Sequence, residues 1–378
     1  MMQRRIFSSE QDLFRDTVKR FLAEKVLPGH AQWEEDGMVP RQLWRDAGAA
    51  GLLLPSIPDE YGGGGGGFLD TVVVIEEIAY ALATGITGFT THSDIVANYL
   101  LHLGSEAQKR AWLPDMASGA VVGAIAMTEP STGSDLKAIR TTAQHGDGGY
   151  VINGQKTFIT NGHHADRVLV VAKTDPSAGA RGISLFWVDT RSPGFSRGKL
   201  LDKLGQRAQD TAELFFSDLW VPEECLLGEP NQGFGYLMAE LVRERLMIAV
   251  RCAAALEAAL QWTIDYTKER HAFGKALIEN QHIRFKLADI KALAAATRAY
   301  VDQCLSQFLD GQLDAAGAAA AKLWAGEATR AIDDLLQFYG GYGYMREYAI
   351  ARAYTDVRPN RIYGGSSEIM REIVARAL

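Results

Sequence analysis

The first third of the chain has the hydrophobic pattern of amphipathic helices. Apolar residues recur at helical spacing near the start, at Leu13, Phe14, Val18, Phe21 and Leu22, and again over 72–83. Ser8 and Ser105 are each followed three residues later by a glutamine, which is the pattern of a capping box at a helix start. We therefore predict a helical domain over residues 1–120.

Six consecutive glycines, 62–67, interrupt this helical pattern. They match the glycine fingerprint of dinucleotide-binding loops only trivially, because that fingerprint follows a strand. The preceding segment contains Pro55 and Pro58 and does not resemble a strand. We predict a flexible loop.

The middle third changes to short runs rich in β-branched and aromatic residues. These runs lie near 150–152, 157–160, 167–172, 182–188 and 212–216. Asn-Gly pairs at 153–154 and 161–162 are typical of tight turns. The pattern predicts a small antiparallel sheet or barrel over 121–230.

Long helical patterns return in the last third. They cover 236–268, 282–310, 313–338 and a closing segment from Ser367. Four helices of this kind indicate an antiparallel bundle over 231–378. The predicted fold class is therefore mainly α with a central β domain.

Composition narrows the classes of partner. Hydrophobic residues make up 47% of the chain and its formal net charge is −7, which argues against binding to nucleic acid or anionic lipid. The three cysteines have no CxxC spacing and the eight histidines no metal-ligand spacing, so we predict neither a disulfide framework nor a metal site. No run approaches the ~18 apolar residues of a membrane span. We expect a cytoplasmic protein without membrane insertion.

Five polar or glycine-containing segments carry candidate chemistry. In chain order they are 126–135, 158–162, 270–275, 337–343 and 362–369. Each of these segments on its own is typical of a turn or of a helix end. Together, in this order and spacing, they resemble the signatures of the acyl-CoA dehydrogenase family, and most closely those of its long-chain branch.

The resemblance implies three domains, namely a helical domain, an antiparallel β-barrel and a four-helix bundle. It also implies FAD bound between the last two and completed by a neighbouring subunit. Arg270 and Gln281 would then meet the diphosphate of the partner subunit's FAD. The full set of implied cofactor-binding residues is Ile125, Ala126, Met127, Thr128, Ser134, Phe158, Ile159, Thr160, Arg270, Phe273, Gln281, Gln337, Gly340, Gly341, Ser366 and Glu368.

Acyl-CoA dehydrogenation needs a carboxylate that removes the α-proton of the thioester. Many family members carry it in the C-terminal loop, where this chain has Gly364. In the long-chain and isovaleryl branches it lies on the first bundle helix just before an arginine, and Glu244 followed by Arg245 reproduces that arrangement. The resemblance thus implies that Glu244 is the catalytic base, with Ser134, Val242, Arg243, Arg245, Tyr363, Gly364 and Gly365 near the substrate.

Helical spacing alone favours a different interpretation. It makes Glu244 an ordinary surface charge, and Glu240, one turn earlier on the same face, is the second candidate.

The function that the resemblance implies is FAD-dependent oxidation of a medium- to long-chain fatty acyl-CoA to the trans-2-enoyl-CoA. Electrons would pass to an electron-transferring flavoprotein, and the assembly is expected to be a homotetramer. Long-chain members carry proline where this chain has Asn98 and Val242, which leaves the chain length open. The alternatives are an isovaleryl-type dehydrogenase, an acyl-CoA oxidase and a non-catalytic FAD-binding protein of the same fold.

Overall fold

The computed structural model describes residues 4–378. Its first part is helical, as the sequence predicts. The helices are α1 (Ser9–Phe21), α2 (Leu27–Asp36), α3 (Arg41–Ala49), α4 (Phe68–Tyr80), α5 (Thr87–Thr90), α6 (Ala97–Leu103) and α7 (Glu106–Ala117). Ser8 and Ser105 form the predicted capping boxes at the starts of α1 and α7. A π-helical segment, Thr91–Val96, joins α5 to α6.

The glycine run forms a loop between α3 and α4, but its backbone is held in place. The N–H groups of Gly64, Gly65 and Gly66 donate to carbonyls of the preceding turn at 3.0, 2.9 and 3.0 Å. A Cβ on Gly63 would clash with the carbonyl oxygen of Ile57. Glycine is required here because the backbone packs on itself.

The middle region is one eight-stranded sheet. Its strands are β1 (Gly123–Ala126), β2 (Thr142–Gly146), β3 (Gly149–Thr160), β4 (Arg167–Lys173), β5 (Ile183–Asp189), β6 (Phe195–Leu200), β7 (Thr211–Pro222) and β8 (Leu226–Leu227). The order is β6-β7-β3-β2-β4-β5-β8, with β1 paired to β4.

The predicted closed antiparallel barrel is wrong in two respects. The sheet does not close, since β6 and β8 lie at its two ends. It is also mixed, because β1 and β2 both run parallel to β4. Alternation along each strand reports which face is buried but not whether the end strands meet, so the sequence pattern could not decide closure.

Strand β4 is buried on both faces, which explains its uninterrupted apolar run. Val168 and Val170 point into the core of the sheet domain. Leu169 and Val171 point the other way and pack with the N-terminal helices. The sheet is thereby fixed against the helical domain.

One predicted turn is also wrong. Asn153 and Gly154 lie inside β3, where the pairing register with β7 shifts. Asn161, by contrast, follows β3 in a left-handed conformation with a φ of 62°, as a turn residue does.

The C-terminal part contains more helices than the four that were predicted. After α8 (Gly233–Glu269) come the hairpin strands β9 (His271–Ala272) and β10 (Lys275–Ala276), then α9 (Gln281–Leu309), α10 (Ala315–Ala328), α11 (Ala331–Gln337), α12 (Ala349–Val357) and α13 (Ser367–Ala375). The predicted helix 313–338 is divided near Arg330, and α12 was not anticipated.

Helix α8 forms the centre of the bundle. It is long and apolar enough to pass as a membrane span, but 78% of its most apolar window is buried inside the protein. It packs with α4, α9 and α10 around a common core that includes Val72, Met247 and Val301.

A buried ion network joins the bundle to the N-terminal helices. Arg298 of α9 bonds Glu76 of α4 at 2.7 Å and Glu257 of α8 at 2.6 Å. Arg4 and Arg15 also bond Glu76, whose side chain has no exposed surface. Burial alone would raise the pKa of Glu76, but the arginines hold it below its usual value.

We expect Arg298→Ala to lower the unfolding temperature clearly, because it leaves buried Glu76 and Glu257 with less compensation. Breaking such a buried pair costs about 3–5 kcal/mol. Differential scanning calorimetry of the holoprotein measures the effect. The matched control is Arg376→Ala, which removes an exposed pair with Glu372 and should change little. Equal small shifts in both variants would contradict this prediction.

Candidate active site

Glu244 lies on the inner face of α8 and is only 7% exposed. The hydroxyl of Tyr99, on α6, donates to its Oε1 at 3.3 Å. The interpretation of Glu244 as an ordinary surface charge is therefore wrong. Periodicity could not show this, because α8 is covered on several sides by elements distant in sequence.

The environment of Glu244 raises the pKa of its carboxyl group to about 7. Burial is the main cause, and the negative charge of Glu240 adds to it; the Tyr99 hydrogen bond and Arg245 act in the opposite direction. A carboxylate with a pKa near neutrality can both accept and release a proton at physiological pH, as a general base must.

Glu240, the second candidate base, has a different environment. Its Oε1 lies 2.6 Å from Nδ1 of His102, and the two side chains are 15% and 47% exposed. The pairs Tyr99–Glu244 and His102–Glu240 are successive contacts between α6 and α8. Glu240 is thus placed to influence the charge of Glu244 from the solvent side.

The turn formed by Tyr363, Gly364 and Gly365 lies against α8 at Arg245 and Ile248, which follow Glu244 by one and four residues. Both glycines have left-handed φ angles, 65° and 93°. A Cβ on Gly364 would come within 2.6 Å of the Ile248 side chain. A glutamate at this position would be strained as well as crowded, which agrees with a base supplied from α8.

Two cationic side chains hold this turn. Nζ of Lys322 donates to the carbonyl of Gly365 at 2.6 Å, and Nε of Arg245 approaches the carbonyl of Gly364 at 3.4 Å. Lys322 is almost fully buried, and burial lowers its pKa to about 8. Sequence reasoning missed Lys322, because a lone lysine in an alanine-rich helix gives no signal of burial.

The predicted substrate residues Val242 and Arg243 lie on α8 just before Glu244, and both are half-buried. The Arg243 guanidinium donates to Asn98 and to Ser56, each at 2.9 Å, and lies 3.6 Å from Asp94. Protein partners therefore occupy this guanidinium.

The predicted flavin-contacting residues of the middle domain form a partly accessible surface. Ile125, Met127, Thr128 and Thr160 are half-buried and Ser134 is exposed. Ala126 and Ile159 point into the core of the sheet, so only their backbone is available for contact.

Phe158 marks this surface. Its side chain is 68% exposed, on a strand whose neighbouring side chains are largely buried. Its φ is 60°, and the pairing of β3 with β7 shifts between Lys156 and Ile159. Bulges of this kind turn a side chain out of a sheet, and such strain is common at binding sites.

A buried ion pair anchors the loop that follows β1. Nζ of Lys156 lies 2.9 Å from Glu129 and 3.0 Å from the carbonyl of Met127. Glu129 also accepts hydrogen bonds from the backbone N–H groups of Arg140 and Thr141. Lys156 and Glu129 thus fix the Met127 backbone over β3, a role that the sequence did not reveal.

A second group of predicted cofactor residues lies in the C-terminal domain. Arg270, Gly340 and Gly341 line a cavity of about 420 Å³ together with the stacked rings of Tyr266 and Tyr339. A Cβ at either glycine would meet nothing within 4 Å, so the space beside this turn is open.

Five further predicted residues lie near element ends. Phe273 is fully exposed in the β9–β10 hairpin, with a φ of 54°. Gln281 and Gln337 are exposed, at the start of α9 and the end of α11. Ser366 caps α13, and Glu368 is exposed in its first turn.

These features fit FAD. The outward-turned Phe158 and the half-buried Thr160 offer a surface for the flat flavin ring. The unencumbered glycines beside Arg270 offer a cationic, open site for a diphosphate.

Comparison with known families covers nearly the whole chain. Models of the acyl-CoA dehydrogenase N-terminal, middle and C-terminal domains match residues 8–120, 124–219 and 231–378. The chain belongs to the acyl-CoA dehydrogenase family. It is an oxidoreductase that uses FAD, as the resemblance of its motifs implied.

Relatives match the chain along its whole length. A long-chain specific acyl-CoA dehydrogenase of Sus scrofa is 48% identical over 99% of this chain and 88% of the relative. The crystal structure of an acyl-CoA dehydrogenase from Geobacillus kaustophilus superposes with a TM-score of 0.97 at 42% identity, over 99% of each chain. A glutaryl-CoA dehydrogenase from Mycobacterium smegmatis, solved with FADH2, has a TM-score of 0.91 at 25% identity and covers 98% and 95% of the two chains.

Removing the charge of Glu240 should change the pH dependence of this acyl-CoA dehydrogenase. The negative charge of Glu240 raises the pKa of Glu244, so Glu240→Gln should lower that pKa. Glu244 is then ionised at lower pH, and because it is the predicted base, the acid limb of the rate of flavin reduction should move to lower pH. Stopped-flow bleaching over a pH series measures the limb. Glu229→Gln, at an exposed site, is the control, and an unmoved limb in Glu240→Gln would refute the coupling.

Proposed function

We propose that this enzyme oxidises medium- to long-chain fatty acyl-CoA thioesters to trans-2-enoyl-CoA, with Glu244 as the base. The observation that carries the proposal is a buried carboxylate with a pKa of about 7 on the helix that packs against a turn with glycine at position 364. Support for the chain length comes from the resemblance to long-chain relatives.

The chain's own groups account for the proton transfer. Ionised Glu244 removes the α-proton, and the Tyr99 hydroxyl keeps its carboxylate oriented. Once protonated, Glu244 is neutral, which its desolvated environment favours. Bound FAD supplies the acceptor for the β-hydrogen, which leaves as hydride.

Negative charge that develops on the thioester oxygen needs a hydrogen-bond donor already in place. We assign this role to the backbone N–H of Gly364. Lys322 and Arg245 hold the carbonyls of the same turn at 2.6 and 3.4 Å. These two carbonyls belong to the peptide groups that follow the Gly364 N–H, so the contacts restrain the turn that carries the donor from its C-terminal side.

The remaining site residues have proposed roles in binding. Ile125 to Thr128, Ser134 and 158–160 would hold the flavin ring, and Ser134 would also approach the substrate. Arg270, Phe273, Gln281, Gln337, Gly340 and Gly341 would hold a partner subunit's FAD, with Ser366 and Glu368 near the cofactor. The two groups lie in different domains, and no residue of the first lines the cavity of the second.

That separation supports a homo-oligomer, which we propose to be a tetramer. We further propose that an electron-transferring flavoprotein reoxidises the enzyme and that it works in the cytoplasm. The isovaleryl-type alternative shares the position of the base, so substrate length decides between them.

Replacing Glu244 should slow the reduction of the flavin strongly without releasing FAD from the protein. We expect Glu244→Gln to slow flavin reduction by roughly 10²–10⁴-fold. The measurement is anaerobic bleaching of bound FAD by acyl-CoAs of graded length, with Glu229→Gln as a matched surface control.

Each outcome of this panel has a defined meaning. Undiminished reduction in Glu244→Gln would overturn the assignment of the base. Bleaching by isovaleryl-CoA but not by octanoyl- or palmitoyl-CoA would favour the branched-chain alternative. Rapid oxygen consumption would indicate an oxidase, and no bleaching by any acyl-CoA would indicate a non-catalytic protein.

The raised pKa of Glu244 also predicts a stability effect. Its folded pKa of about 7 lies above the ordinary value of 4.5, so the folded state loses stability relative to the unfolded state as pH rises from 4.5 through 7. The full loss is on the order of 3 kcal/mol. Glu244→Gln avoids it, and should raise the unfolding temperature at pH 8 but not at pH 4.5. Equal shifts at both pH values, measured by calorimetry of the holoprotein, would contradict this cause.

A further inference from the structure

Arg251 lies on α8, is half-buried, and takes no part in the proposed proton transfer. Its Nη1 donates to the hydroxyl of Tyr363 at 3.0 Å, and its Nη2 donates to Oγ1 of Thr90 at 2.9 Å. The Tyr363 hydroxyl in turn donates to Oδ1 of Asn360. These contacts fix the guanidinium, but both of its partners are uncharged hydroxyl groups.

The charge of Arg251 is not neutralised by an ion pair within residues 4–378. No aspartate or glutamate there forms a salt bridge with it, and its buried Nε has no hydrogen-bond partner. The acidic side chain whose pKa responds to Arg251 is Asp94, which is already committed to Arg243 and Thr71. Arg298, by comparison, meets two carboxylates.

Arg251 is placed along the site rather than away from it. It follows Glu244 by seven residues on α8, which is two helical turns and about 10 Å along the same face. Ile248, between them, lies beside Gly364. Glu244, Ile248 and Arg251 thus follow one another along this face of α8. Arg251 contacts the Gly364 turn through its hydrogen bond to Tyr363.

A partly buried cation without a counterion is costly, and an arginine fork matches a carboxylate in a bidentate manner. The methyl end of an ordinary fatty chain at this position would displace water from the guanidinium without supplying a hydrogen bond or a negative charge. A carboxylate there would supply the missing negative charge and a stronger acceptor for the guanidinium, whose Nε has no partner.

We propose that Arg251 binds a carboxylate at the far end of the acyl chain, so that the preferred substrates are medium-chain ω-carboxyacyl-CoA thioesters. This inference rests on the proposed function and narrows its substrate class. The reaction is unchanged: the α-proton goes to Glu244 and the β-hydride to FAD, while the distal carboxylate keeps its charge. Arg251 is a specificity residue, and the α and β carbons react elsewhere.

The test compares substrates of equal length that differ only at the far end. Adipoyl-CoA is compared with hexanoyl-CoA, and suberoyl-CoA with octanoyl-CoA, by kcat/KM with an artificial electron acceptor. Wild type, Arg251→Leu, Arg251→Lys and the exposed-site control Arg330→Leu are each assayed as the FAD-loaded protein.

We expect wild type to prefer the ω-carboxyl substrate of at least one pair by roughly 10- to 100-fold, the effect of a charged hydrogen bond. Arg251→Leu should lose that preference by lowering kcat/KM for the ω-carboxyl substrate while leaving or raising it for the alkyl one. Arg251→Lys should retain part of the preference, and Arg330→Leu all of it.

Three outcomes would overturn the proposal. In the first, wild type prefers the alkyl substrate in both pairs. In the second, Arg251→Leu and Arg251→Lys lower kcat/KM equally for the ω-carboxyl and the alkyl substrate. In the third, both variants lose FAD, measured by flavin absorbance, which would assign Arg251 to cofactor binding. Dehydrogenation of the alkyl substrates without a preference for the ω-carboxyl substrate in either pair defeats this inference alone. Failure of every acyl-CoA to bleach wild type defeats the proposed function itself.

Discussion

Helix α8 runs through the middle of the molecule, and water reaches only a small part of it. Charged side chains on its inner faces must therefore be stabilised by groups from other elements. Arg243 meets Asp94 and Asn98, and Glu257 meets Arg298. Among residues 4–378, the side chain of Glu244 accepts a hydrogen bond only from the hydroxyl of Tyr99. Burial raises the pKa of this carboxyl group, and the Tyr99 hydrogen bond is too weak to offset it.

The fold can accommodate a buried carboxyl group with so few partners because other interactions stabilise the position of α8. The ion network around Glu76 joins α4, α8 and α9, and the apolar core between α4, α8, α9 and α10 surrounds it. The stability of this framework allows the site to keep a desolvated acid, which is itself unfavourable to folding when ionised. Loss of packing at a distance from Glu244 would admit water and return its pKa toward the ordinary value.

The sequence predicted the local elements better than their assembly. Ser8 and Ser105 identified helix starts correctly because a capping box is complete within four residues. Closure of the sheet was predicted wrongly because it depends on where β6 and β8 end in space. At the site, Gly364 together with the family resemblance led to the prediction of Glu244 as the base. No sequence pattern predicted the burial of Lys156 or Lys322. Their burial is created by chain segments far away in sequence.

The carbonyls of Gly364 and Gly365 are held from outside the turn, by Arg245 and Lys322. In this enzyme the proton acceptor that we propose and the amide that we assign to the thioester oxygen belong to separate structural units, one a core helix and the other a restrained loop. Thermal opening of the loop can therefore interrupt polarisation of the substrate while the acid–base group stays protected. Selection can likewise alter loop and helix independently, which gives this arrangement more freedom to change substrates than one in which a single loop carries both groups.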